Sequence, residues 1–242
     1  MAHLVVLTGA GISAESGIKT FRDGDGLWED HHVEDVATPE GWARDPRTVL
    51  RFYNERRAQV RAARPNAAHL ALAELERHFR VSIITQNIDD LHERAGSRDV
   101  LHLHGELLKA RSSHDARLVY RLDEDETIEI GDCCDNGAQL RPHVVWFGEN
   151  VPLYGTACDI VANADLLLIV GTSLAVTPAS MLMDEAPLTA PRVLVDPCAR
   201  ELAVQGVVPL ATSATDGVCR LRDFWSQHGR LLKPDPDLLL DH

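Results

Sequence analysis

Leu4-Val5-Val6-Leu7-Thr8-Gly9-Ala10-Gly11-Ile12-Ser13-Ala14-Glu15-Ser16-Gly17 is the stretch on which the reading of this chain turns. Four consecutive apolar residues run straight into glycines, which predicts a buried strand delivered into a tight turn and then a helix start. Such a turn suits a phosphate, because glycine lets backbone come close while the amides and dipole of a helix N-terminus attract negative charge. Gly9, Gly11 and Ala14 fit the G-x-G-x-x-G/A spacing of dinucleotide loops. The same small residues also recur in ordinary strand-to-helix turns, so the rest of the chain has to separate the two.

Working outward, comparable apolar runs recur at 81–84, 100–103, 144–147, 166–170 and 193–195. They are continuous rather than alternating, as strands of a parallel sheet covered on both faces require. Helix-compatible stretches lie at 66–78, 156–164 and 178–186, the last opened by Thr177-Pro178 as a cap and first-turn proline. The pattern is α/β. Two segments break it: residues 24 to about 65, polar and aromatic with a helical middle, and 108 to 140, charged and ending in Asp135-Asn136-Gly137. Both are expected to be inserts forming a smaller lobe, and the tail Lys233-Pro234-Asp235-Pro236 is expected to leave the fold.

With 242 residues the chain can bury a full core. Its 37 acidic against 24 basic residues give a formal net charge of −13 without a long basic run, which argues against nucleic acid as a partner. Five cysteines, an odd count and scattered apart from the Cys133-Cys134 neighbours, argue for a reducing compartment and against a disulfide framework, so a cytoplasmic location is expected. No apolar stretch approaches the roughly 18 residues of a membrane helix, so no membrane partner is expected. Oligomeric state is left open, a monomer included.

The apolar runs end in residues suited to ligand contact: Gly9-Ala10-Gly11, Thr85-Gln86-Asn87-Ile88-Asp89, His104-Gly105-Glu106, Gly148-Glu149, Gly171-Thr172-Ser173 and Asp196-Pro197. Ligands of open parallel sheets bind outside the carboxyl ends of the strands, so these clusters are expected to converge on one crevice.

These residues resemble the sirtuins, NAD-dependent protein-lysine deacylases. The resemblance runs through Gly9 to Ile18, Thr20-Phe21-Arg22, Gly26-Leu27-Trp28, Thr85 to His92, Leu103-His104-Gly105-Glu106, Arg141 to Glu149 and Gly171-Thr172-Ser173. It implies a Rossmann-like lobe of about 1–25, 66–107 and 141–230, with helices on both faces of a parallel sheet. A smaller lobe of about 26–65 and 108–140 would combine a helical insert with a degenerate zinc-ribbon-like insert.

In such enzymes NAD is a co-substrate, and the resemblance makes His104 the base and Asn87 its catalytic companion on the nicotinamide side. Imidazole suits proton transfer near neutrality. The rest of the cofactor set would be Gly9, Ala10, Gly11, Ser13, Glu15, Phe21, Arg22, Trp28, Gln86 and Asp89 around the nicotinamide side and loop. Gly171, Thr172, Ser173, Asp196, Pro197, Cys198 and Ala214 would hold phosphates and adenosine ribose. Asp196 stands where relatives often carry Asn. Val145, Phe147, Gly148 and Glu149 resemble the segment that receives an extended acyl-lysine peptide by strand addition.

Tyr53 and Arg56, three apart in a helix-compatible stretch, share one face. Taken alone, Arg51, Arg56, Arg57 and Arg61 read first as a solvated basic face. In the family branch that removes succinyl and malonyl groups, a Tyr-x-x-Arg pair reads the acyl carboxylate, which a guanidinium matches with charge-assisted bonds. The resemblance therefore implies desuccinylation and demalonylation together with deacetylation.

Sirtuins usually carry two cysteine pairs that bind a structural zinc. Here the positions of the first pair hold Ser112 and Asp115, and the second region holds adjacent Cys133 and Cys134, so no classical zinc site is expected, and a mixed site of Ser112, His114, Asp115 and Cys133 is the minor alternative. Three other functions stay in view. A redox dehydrogenase would continue to a second strand ending in an acidic ribose ligand about 20 residues past the glycines; Phe21-Arg22 and Gly24-Asp25-Gly26 follow instead. A catalytically weak NAD or acyl-lysine binder would lack His104 or Asn87, and both are present. ADP-ribosyl transfer by the same site is the third.

Overall fold

The structure is a computed structural model and describes residues 1–19, 27–28 and 31–240, with the backbone alone described at 27–28, 238 and 240. In chain order it runs β1 (His3–Thr8), α1 (Gly11–Ala14), β2 (Leu27–Trp28), β3 (His31–His32), α2 (Val33–Val36), α3 (Pro39–Arg44), α4 (Pro46–Ala62) and α5 (Ala67–Leu75). There follow β4 (Arg80–Thr85), α6 (Leu91–Ala95), β5 (Val100–His102), β6 (Gly105–Ser112), β7 (Val119–Arg121), β8 (Leu140–Val144) and α7 (Tyr154–Val161). The chain continues through β9 (Leu166–Val170), a 3₁₀ segment (Ala179–Glu185), β10 (Arg192–Val195), α8 (Ala199–Leu202), β11 (Val207–Leu210), α9 (Ala214–His228) and α10 (Pro236–Leu240).

A six-stranded parallel sheet of order β11-β10-β9-β1-β4-β5 forms the centre. All six residues of β1 are buried, because alternate side chains enter two different cores. Leu4 and Val6 pack with Ala68, Leu72 and Leu75 of α5 and with Val218, Leu221 and Trp225 of α9. Val5 and Leu7 face Ala157 and Val161 of α7 and Leu182 of the 3₁₀ segment. Each such aliphatic side chain stabilises the fold by roughly 1.5–3 kcal/mol through burial.

From β1 the chain winds outward through β4 and β5, then returns to the other side of β1 for β9, β10 and β11. The direction of winding therefore reverses between β1 and β9, and a ligand crevice opens at such a switch. Gly9 donates its amide to the Val170 carbonyl at 3.0 Å and Gly11 to the Gly171 carbonyl at 2.8 Å, stitching the two strand ends together.

Three expectations are corrected. The run 144–147 is not a strand of the parallel sheet: Val144 ends β8, which pairs antiparallel with β6 in a three-stranded sheet of order β7-β6-β8. The sixth parallel strand is β11, whose Pro209 interrupts an otherwise apolar run on the sheet edge, where a missing amide is tolerated. The tail does not leave the fold: Pro234 is buried, Trp225 Nε1 donates to the Leu232 carbonyl at 2.9 Å, and Arg220 holds the Leu239 carbonyl. The stretch 178–186 is a 3₁₀ segment rather than an α-helix.

Beside the main sheet, α4 lies between two apolar clusters. Val49, Phe52, Tyr53 and Val60 pack with Leu91, Leu107, Val144 and Trp146, while Leu50 meets Ala110, Leu122 and Ile128. Its arginines divide: Arg47 and Arg51 are exposed, whereas Arg56 and Arg57 are buried. Arg57 is fully buried and donates to the Leu107 carbonyl and to Asn54 Oδ1. Arg61 reaches the carbonyls of Asp123 and Glu126, so α4 holds the 120s segment by charge-assisted bonds to backbone.

Candidate active site

At the carboxyl ends of the parallel strands lies a cavity of about 610 Å³. Its wall includes the glycine loop with Ser13 and Glu15, Gln86 to Asp89 after β4, His104, Val145 to Glu149, Gly171 to Ser173, Asp196 to Cys198, Ala214, and Tyr53 with Arg56 from α4, whereas Thr85, Gly105 and Glu106 of the expected clusters do not line it. Phe21 and Arg22 lie outside the described residues, as does the side chain of Trp28. Trp146, Ile88 and Val176, which the sequence reading did not single out, also line it.

The glycine loop differs from the expected phosphate cradle. The amides of Gly9 and Gly11 are committed to β9, and α1 is a single turn of four residues, too short for a substantial dipole. The glycines instead permit close packing. A Cβ on Gly11 would meet the Gly171 Cα at 2.6 Å, and one on Gly171, at φ +62°, would meet the Ile12 nitrogen at 2.3 Å. Asn66 caps α5 and donates from Nδ2 to the Ile12 carbonyl at 2.7 Å, tying the loop to the next helix.

Polar side chains around the loop form one connected set. Asn87 Nδ2 donates to the Gly9 carbonyl and to Ser13 Oγ, each at 3.2 Å, and Ser13 Oγ donates to Asp89 Oδ2 at 3.1 Å. Burial pushes the Asp89 carboxyl up, against its hydrogen bonds from the Leu91 amide and Ser13. Gln86 Nε2 donates to Thr172 Oγ1 at 3.3 Å across the crevice. Glu15 accepts from the Thr215 amide and from the hydroxyls of Ser213 and Thr215, so its carboxylate secures the start of α9. Buried Asp196 accepts from the Cys198 amide at 2.9 Å.

His104 sits just after β5. Its Nδ1 lies 3.1 Å from the Gln86 carbonyl, an acceptor only, so Nδ1 carries the proton and Nε2 keeps the lone pair in the neutral ring. Burial lowers its pKa, the Gln86 bond opposes this, and the net shift is down. The ring is therefore neutral at pH 7 and able to accept a proton.

On the opposite wall, Tyr53 and Arg56 are buried within the apolar cluster, and Trp146 Nε1 donates to the Tyr53 hydroxyl at 3.0 Å. Arg141 lies over the Trp146 ring at 3.2 Å and pairs with Glu149, which also binds Arg111 and accepts the Trp146 amide. Glu149 thus fixes the turn that carries Phe147, whose side chain is 47 % exposed at the cavity mouth. Val145 and Phe147 donate their amides to the carbonyls of His104 and Ala37, which seats this segment between the two halves of the site.

The zinc positions do not fit a zinc. Ser112 Oγ accepts from the amides of His114 and Asp115 and from Cys134 Sγ, Asp115 chelates Arg117, and Cys133 Sγ is turned to the Gly131 carbonyl. Among the described residues no group of three or more His, Cys, Asp or Glu is gathered for a metal, and a serine held by two amides is no thiolate substitute. Nor is any described helix long and apolar enough to cross a membrane.

Comparison with known proteins agrees with this geometry. Residues 9–178 match the model of the Sir2 family. A protein from Helicobacter pylori named NAD-dependent protein deacylase is 57 % identical over 200 residues, which is 83 % of this chain and 86 % of that protein. The solved complex of a Sir2 homologue with NAD superposes with TM-score 0.85 at 38 % identity, covering 94 % of this chain and 91 % of that one. A Sir2 protein solved with a deacetylated p53 peptide and 3'-O-acetyl ADP-ribose superposes with TM-score 0.76 at 28 % identity over 94 % of each chain. By sequence, by fold and by the residues gathered at its switch point, the chain belongs to the Sir2 family.

Proposed function

We propose that this NAD-dependent protein deacylase removes succinyl and malonyl groups, and acetyl groups as well, from lysine side chains. The observation that carries the acyl preference is a buried guanidinium: Arg56, 4 % exposed, lines the same cavity as His104 and stands one helical turn from Tyr53. A cation in a largely apolar wall favours an acyl chain that ends in a carboxylate.

The residues fit NAD as co-substrate. The cavity, about 610 Å³, is lined by Asp196 and Cys198, the close-packed glycines, Asn87 and Asp89, which supports one dinucleotide shared among them. Bound NAD supplies the ribose carbon that accepts the acyl oxygen as nicotinamide departs. His104 Nε2 takes the proton of a ribose hydroxyl, and Asn87, braced by Gly9 and Ser13, orients that ribose. Asp89 offers a carboxyl to the carboxamide. Tyr53 and Arg56 hold the acyl carboxylate, and the Val145–Glu149 segment seats the peptide. The helical insert and the β7-β6-β8 sheet act as the smaller lobe of one catalytic unit, in the cytoplasm.

Incubation with NAD and succinyl-, malonyl- or acetyl-lysine peptides, followed by mass, tests this reading. Nicotinamide, O-acyl-ADP-ribose and free lysine are expected, and His104→Ala abolishes their formation. Activity that survives His104→Ala overturns the mechanism.

A further inference from the structure

The loop bearing Asn87 and Asp89 is held from beneath in an unusual way. Three successive carbonyls, of Gln86, Asn87 and Ile88, are taken by residues of the 102–107 stretch. His104 Nδ1 reaches the first at 3.1 Å, His102 Nδ1 the second at 3.1 Å, and the Leu107 amide the third at 2.8 Å. Two of the three clamps are histidine rings.

The two rings differ in charge. His102 Nε2 lies 2.7 Å from Glu93 Oε1, while its Nδ1 faces a carbonyl. Both partners are acceptors when Glu93 is ionised, so both ring nitrogens carry protons and His102 is an imidazolium. The ring is 7 % exposed. Glu93 on α6 faces it directly, Glu106 on β6 adds a second negative charge, buried Asp89 lies on the loop above, and His92 is a neutral neighbour on α6. Burial would lower the pKa of His102, but the Glu93 bond and charge outweigh it and the net shift is upward.

We propose that His102, charged and held by Glu93, is a positioning residue that fixes the Asn87 carbonyl and thereby aims Asn87 and Asp89 at the nicotinamide end of the site. This rests on the reading of those two residues under Proposed function. The Nδ1 bond to the Asn87 carbonyl does the positioning, and the Glu93 bond at the far end of the ring keeps Nδ1 aimed at that carbonyl. A loop shifted by about 1 Å at this point costs about 10²-fold in rate.

Two substitutions separate the ring's ends. In His102→Asn the amide sits where Nδ1 was and keeps the bond to Asn87, whereas in His102→Gln it sits where Nε2 was and keeps only Glu93. His102→Gln is expected to lower kcat about tenfold or more with KM for the acyl peptide unchanged, and His102→Asn to stay within about threefold of the unaltered enzyme. Nitrogen-15 shifts of the His102 ring in the unaltered protein at pH 7.5 are expected to show both nitrogens protonated, and Glu93→Gln to convert the ring to the neutral form. Equal losses in the two variants, no loss in His102→Gln, or a neutral ring at pH 7.5 overturns the proposal. If His102→Gln does not fold, the ring measurement decides alone. That measurement needs no turnover, so its failure is distinct from failure of the deacylase reading, which shows as an inactive unaltered enzyme.

Discussion

Trp146 donates its indole Nε1–H to the Tyr53 hydroxyl at 3.0 Å, so the segment proposed to seat the peptide also holds the residue proposed to read the acyl group. Burial drives the Tyr53 pKa well above its ordinary value against the Trp146 bond, which keeps the phenol neutral and able to donate. Trp146→Phe keeps a ring and deletes the donor. Desuccinylation is expected to lose about fivefold in kcat/KM, the equivalent of about 1 kcal/mol for one hydrogen bond, while deacetylation changes by less than about twofold. Steady-state kinetics on matched peptides measures both.

Glu149 gathers Arg111, Arg141 and the Trp146 amide. Burial would raise its pKa, but the Arg141 bond and charge hold it below the ordinary carboxylate value. Glu149→Gln leaves Arg141, 8 % exposed, without its counter-charge. A loss of about 2 kcal/mol in urea unfolding is expected, reduced from the cost of a deeper pair by the partial exposure of Glu149, together with a raised KM for peptide.

At Gly171 the backbone has φ +62° and a Cβ would meet the Ile12 nitrogen at 2.3 Å. Gly171→Ala should cost about 2 kcal/mol or more and abolish NAD binding, because the two loops have to part. Gly155, in α7 with nothing within 4 Å of its Cβ position, is the control. Gly155→Ala should stabilise by up to about 1 kcal/mol and leave NAD affinity unchanged in calorimetry.

His69 is fully buried beneath the glycine loop, next to His92, and burial lowers its pKa to about 4. The unfolded chain takes up this proton near pH 6.5 and the folded chain near pH 4. Its contribution is therefore complete above pH 6.5 and is lost as pH falls through that window, by about 3 kcal/mol at most. His69→Gln, which keeps a capping side chain for Asn66, should flatten the stability profile between pH 6.5 and 4.5 in urea unfolding. An unchanged slope would remove His69 from the account.

How much of this was legible in the sequence follows from burial. β1, β4, β9 and β10 announce themselves because strands covered on both faces must be apolar throughout. β11 does not, since it lies at an edge and carries Pro209. The run 144–147 misleads because Val144 and Trp146 enter the cluster around α4 rather than the parallel sheet. The clusters after the strands were readable because polar residues at strand ends face the crevice. Arg57, Glu93 and His102 were not, since their partners are backbone carbonyls or lie on another element, and side-chain-to-backbone bonds leave no spacing in the sequence. The glycine loop was found for a reason the structure revises: its glycines serve close packing against Gly171, and their amides are spent on β9.

The proposed acyl preference rests on Arg56, and the ratio of kcat/KM for succinyl-lysine over acetyl-lysine in Arg56→Ala tests it most directly. Charge-assisted bonds to a carboxylate are worth about 2–3 kcal/mol, so the ratio is predicted to fall about 30-fold or more, with deacetylation largely kept. An equal loss on both peptides, leaving the ratio where it stood, would contradict the carboxylate-reading role.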